Sequence, residues 1–100
     1  MQNLAKTADA IACELMINSR GEVCLLVNQR LPNEPQWAEF DAVKDELYLV
    51  YPSGNVFRVD FRIDQTLTSY LKTARKILVI SLNNNKPTEG YDINLITINS

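Results

Sequence analysis

Ser69-Tyr70-Leu71-Lys72 spells S-x-x-K, the spacing at which a helix sets a lysine one turn from a serine nucleophile. The companion signatures S-D-N and K-T-G are missing, and 100 residues are far too few for the domain that uses them. Ser69 and Lys72 therefore read as two solvated positions on one helix. Cys13 and Cys24 are the only thiols, and with no histidine in the chain they make too small a ligand set for a structural zinc site. They read as small buried hydrophobes. The lack of histidine also removes Ser-His-Asp and Cys-His catalysis, since imidazole is the usual general base near neutral pH. Gly21, Gly54 and Gly90 stand too far apart to form a phosphate-cradling loop. No cofactor, metal site or catalytic residue is expected.

The carboxylates are the remaining chemistry. Glu34, Glu39, Asp41, Asp45 and Glu46 fall between residues 31 and 47 with Lys44 as the lone cation there, five negative charges against one positive. Outside that stretch nine basic side chains face seven acidic ones, so the net charge of −2 is concentrated in one segment. On a strand, Glu39 and Asp41 share a face and have the spacing for acid/base work or for holding a cation. No calcium loop is spelled, because the EF-hand glycine and closing glutamate are absent. The plainer reading is a solvated edge that discourages strand-to-strand aggregation. The acidic stretch also contains Trp37 and Phe40, and it runs into Tyr48, which a hairpin register sets opposite Arg58. Aromatics and arginines are the residues enriched at protein interfaces, with charge steering the encounter.

Placing these side chains requires elements. Leu4, Ala8, Ile11, Ala12 and Leu15 recur at helical spacing and predict a first helix near residues 2–12. Asn18-Ser19-Arg20-Gly21 reads as a type I turn closed by a left-handed glycine, giving a three-residue hairpin loop. Pairing Asn18 with Glu22 sets Leu15 opposite Leu25, Ile17 opposite Val23 and Cys13 opposite Val27, one fully apolar side. Cys24 then faces Met16 on the other side, and a disulfide is geometrically excluded. Tyr51-Pro52-Ser53-Gly54-Asn55 repeats the device and puts Leu49 opposite Phe57, with Arg58, Asp60 and Arg62 on the outer face. Residues 31–36 hold two prolines and read as a loop, and Trp37 to Val43 as a further strand. Asp64 is placed to cap a second helix with Leu67, Tyr70, Leu71 and Ala74 on its apolar side. Residues 77–82 form a short apolar strand, residues 83–87 a loop, and Tyr91 to Ile98 closes the sheet.

The expected fold is a single α+β domain over residues 1–100, an antiparallel sheet of about six or seven strands with two helices on one face, in the order α-β-β-β-β-β-α-β-β. The longest apolar runs, residues 23–27 and 77–80, are far short of the ~20 residues a membrane span needs, and a cytoplasmic chain is expected. A chain with more acidic than basic groups is a poor match for nucleic acid. The leading functional expectation is a non-enzymatic adaptor or inhibitor that binds another protein through Glu34, Trp37, Glu39, Asp41, Asp45, Glu46, Tyr48, Arg58 and Arg62. One alternative is an inhibitor encoded by a mobile element that mimics nucleic-acid phosphate. Another is a small carboxylate-based enzyme or ligand-binding domain acting as a homodimer.

Overall fold

The computed structural model describes residues 9–31, 34–61, 65–82 and 90–100, and the fold it shows is a closed β-barrel. Seven strands run in sequence as β1 (Asp9–Ile17), β2 (Val23–Arg30), β3 (Trp37–Asp41), β4 (Glu46–Val50), β5 (Val56–Phe61), β6 (Lys76–Leu82) and β7 (Tyr91–Asn99). A 3₁₀ helix, Gln65–Lys72, links β5 to β6. Around the barrel the order is β1-β2-β6-β7-β3-β4-β5, and β5 returns to β1. Two helices on an antiparallel sheet are therefore not what forms.

The first helix is overturned because its periodicity is shared. Ile11 and Leu15 lie four apart, which suits a helical face and also two steps of strand alternation. The chain takes the second option: Ile11, Cys13 and Leu15 are buried while Asp9, Glu14 and Met16 are exposed. Long-range partners decide the matter, since β1 pairs with β2 on one side and with β5 on the other. Leu4 and Ala8, which completed the helical reading, lie outside the described residues. The second helix forms as 3₁₀ rather than α, in a segment where Thr66, Thr68 and Ser69 are poor interior residues for an α-helix. Its proposed cap, Asp64, lies outside the described residues, as does Arg62.

The sheet is mixed rather than antiparallel, for a reason of parity. Successive strands alternate in direction, so neighbours of like parity must be parallel: β1 with β5, β2 with β6 and β3 with β7. A ring of seven alternating strands cannot close without at least one such pair. Both sequence-read hairpins keep their registers, with Leu15 opposite Leu25 and Leu49 opposite Phe57. Gly21 at φ 80° and Gly54 at φ 91° supply the left-handed positions that end each loop. In the first loop the Asn18 side-chain oxygen accepts from the amides of Arg20 and Glu22 at 3.0 and 2.9 Å, locking the turn.

Leu25, Val27, Leu47, Leu49, Ile77 and Val79 fill the barrel and are almost entirely removed from water. Leu71 from the 3₁₀ helix joins this core and closes the end where β5 finishes and β6 begins. The opposite end gathers the finishes of β2, β4 and β6 and the starts of β3, β5 and β7. Among the described residues no helix is long and apolar enough to cross a membrane, and no group of three or more side chains is placed to hold a metal ion.

Candidate functional site

Alternation on β3 sends Ala38 and Phe40 into the core and leaves Trp37, Glu39 and Asp41 half-buried on the outside. The pairing of β3 with β4 then sets Glu39 beside Tyr48 and Asp41 beside Glu46, and the pairing of β4 with β5 sets Tyr48 beside Arg58. Six of the nine sequence-proposed residues thus meet on one outer face: Trp37, Glu39, Asp41, Glu46, Tyr48 and Arg58. Two carboxylates orient the two aromatics. Trp37 Nε1 donates to Glu39 Oε1 at 3.0 Å, and the Tyr48 hydroxyl donates to Glu46 Oε1 at 2.6 Å, a short charge-assisted bond.

Tyr48 shows how dense the centre of this face is. Although it points outward it is only 3% exposed. Desolvation, then the hydrogen bond and charge of Glu46, then the charge of Asp41, push its phenol up to about 12, against a lowering pull from Arg58. The neutral, hydrogen-bonded phenol is therefore a fixed feature of the surface at physiological pH. Asp41 has a local job as well, since its Oδ1 accepts from the amides of Val43 and Lys44 at 3.0 and 3.2 Å and closes the β3–β4 turn. Asp45 is exposed in that turn at φ 54°, a left-handed position that aspartate tolerates better than most residues. It sits at the end of the face rather than within it.

Glu34 belongs elsewhere. It lines a cavity of about 750 Å³ at the end of the barrel where β2, β4 and β6 finish, together with Gln36, Tyr51, Ser81, Asp92 and Asn94. Sequence reasoning missed these partners because they come from four separated segments. A signal was present in β7, where Asp92 and Asn94 share one face with Ile96 and Ile98, so polar groups had to meet the end of the core. Tyr51 is 3% exposed with its ring edge-on to Phe57 at 5.4 Å, and its buried hydroxyl has no hydrogen-bond partner among the described residues. Burial, with a smaller contribution from Cys13, pushes that phenol up to about 12.

The other chemical candidates stay apart. Ser69 and Lys72 are both exposed on the 3₁₀ helix, at the end of the barrel opposite the cavity. Cys13 points into the core and Cys24 to the outer side, opposite Val27 and Met16 respectively, and both thiols are free and buried. Burial foremost, then Asp60, pushes the Cys13 thiol up to about 12, and burial foremost also raises Cys24. Neither is a ready nucleophile. Comparison with family models, with curated proteins and with solved structures finds no match.

Proposed function

We propose that this chain is a non-enzymatic, cytoplasmic protein-binding module that docks a basic partner surface on the outer face of β3, β4 and β5. The observation that carries the reading is the pair of oriented aromatics: Trp37 and Tyr48 are each held by a neighbouring carboxylate on the face that also carries Asp41 and Arg58. Held side chains lose little rotamer freedom on binding, and the half-buried Trp37 inside an acidic rim, resting beside a buried Tyr48 that fixes the floor of the face, has the composition of an interface anchor. Two free, buried thiols suit a reducing compartment.

Charge reversal tests this. Partners captured from the native host by the wild-type chain are compared with those captured by Glu39→Lys/Glu46→Lys and by Trp37→Ala. A specific basic partner lost from both variants, and weakened by salt, supports the reading; an identical set from all three chains refutes it.

The cavity favours a second reading, a small-ligand-binding domain. Glu34 and Asp92 both line it, and its ≈ 750 Å³ lies in the usual range for ligand pockets. A cationic or polyhydroxylated ligand is the chemistry that two carboxylates with Gln36, Ser81 and Asn94 would take. Thermal-shift screening with such compounds separates the readings, because a stabilising hit must be lost in Asp92→Asn and kept in Glu39→Lys.

A further inference from the structure

The outer side of β7 carries Tyr91, Ile93 and Leu95, which are 58%, 63% and 53% exposed. Cross-strand registers extend this stripe across neighbouring strands of the barrel. Leu95 lies opposite Leu78, Leu78 opposite Cys24, and Cys24 opposite Met16, so one row crosses four strands with no charged residue. The next row runs from Ile93 to Ile80 to Leu26 and meets a charge only at Glu14 on β1. Leu26, Leu78 and Ile80 are half-buried, and Met16 is 42% exposed.

The size of this face can be set against what a dimer needs. The four most exposed side chains alone present roughly 450 Å² to water, within the range of the largest patch on an ordinary monomer, which is often functional. A stable interface buries about 800 Å² per partner, and in homodimers about 65% of it is apolar, so the face supplies nearly the whole apolar core that such a dimer needs. Interfaces with transient partners are no more apolar than the rest of a surface, whereas these two rows carry a charge only at Glu14, with Arg30 and Lys76 on the flanking rows as the rim. Charge points the same way. The acidic face is centred on β4, which stands three places from β6 in one direction around the ring and four in the other. Two copies joined through their apolar faces keep their acidic faces far apart, whereas joining through the acidic faces would set like charges against each other.

From this geometry we infer that the outer face of β2, β6 and β7 is a homodimer interface, occupied by a second copy of this chain. Two-fold symmetry makes such an interface self-complementary, so Ile93 and Leu95 of each copy contribute twice. The dimer presents two acidic faces pointing outward, and a partner with two basic sites would be held by both at once. The inference rests on a different face from the proposed partner-binding one, so either can fail alone.

Sedimentation velocity on the full chain from about 1 to about 500 μM tests it. A mass rising from 11.4 kDa to twice that value is expected. Ile93→Asp and Leu95→Asp should each raise the dimer dissociation constant about 100-fold, and Ile93→Thr, which keeps β-branching, about 10-fold. Because both positions are more than half exposed in the single chain, the variants should keep the wild-type circular dichroism. Asp60→Asn on β5 should leave the dimer unchanged. A wild-type chain that stays at 11.4 kDa throughout overturns the inference, and so does a dimer that all the β7 variants leave intact.

Discussion

Replacing tyrosine by phenylalanine should have opposite consequences at two buried positions. Tyr48 and Tyr51 are equally exposed, at 3% each, but among the described residues only Tyr48 has a partner for its hydroxyl. At position 51 folding buries a phenol hydroxyl to which no described residue gives a hydrogen bond, a desolvation cost of about 1–3 kcal/mol. Tyr51→Phe keeps the ring, its edge-on contact with Phe57 and its place in the core, and deletes only the orphaned oxygen. Stability should rise by about 1 kcal/mol, a Tm increase of about 4–8 °C for a domain of this size. At position 48 the same change breaks the 2.6 Å bond to Glu46. Because Glu46 is half-buried and can regain water, the loss should be about 1–2 kcal/mol, with Tm falling accordingly. Chemical denaturation with parallel thermal melts of the three chains reads both signs. A destabilised Tyr51→Phe, with Tyr48→Phe equal to it, would refute the claim that hydrogen bonding rather than packing separates these residues.

Three further outcomes follow from the same structure. Stability should fall from about pH 9 toward pH 12, because the Cys13 thiol and the Tyr48 and Tyr51 phenols are all pushed up to about 12 in the folded chain, and unfolding relieves them as pH climbs above their ordinary values. A melt series across that range checks this, and absorbance at 295 nm should show Tyr48 and Tyr51 ionising only with unfolding. Leu25→Ala removes a fully buried side chain from the middle of β2 and should cost about 2–5 kcal/mol in denaturant titration. Gly54→Ala meets no neighbouring atom, but it forces a side chain into φ 91°, and calorimetry should show a loss of about 1–2 kcal/mol.

Local chemistry was readable and long-range pairing was not. Asn18 through Gly21 and Tyr51 through Asn55 encode their loops within five residues, so both hairpin registers and the opposed placement of Cys13 and Cys24 follow from turn geometry. The joining of β1 to β5, β2 to β6 and β3 to β7 is parallel and non-local, with no turn to announce it, and that is what turns a sheet into a barrel. Missing that closure also leaves residues 9–12 free to look helical, since nothing in the segment itself demands a strand on each side. The outer face around Tyr48 was legible because one hairpin and the adjoining strand carry it. The cavity around Asp92 was not, because its lining comes from four separated segments, and the apolar rows were not, because the parallel pairing of β2 with β6 is what joins the β1–β2 half to the β6–β7 half.

A photo-crosslinking side chain placed at Val43, which is 95% exposed in the turn at the end of the proposed partner face, with a second chain carrying it at Ser69 as a reference, probes that face in the native host. Capture of one basic protein from position 43 alone, abolished by Glu46→Lys in the same chain, is the predicted result. Equal capture from both positions, or none from position 43 while a ligand selectively protects the Asp92 cavity, would contradict it.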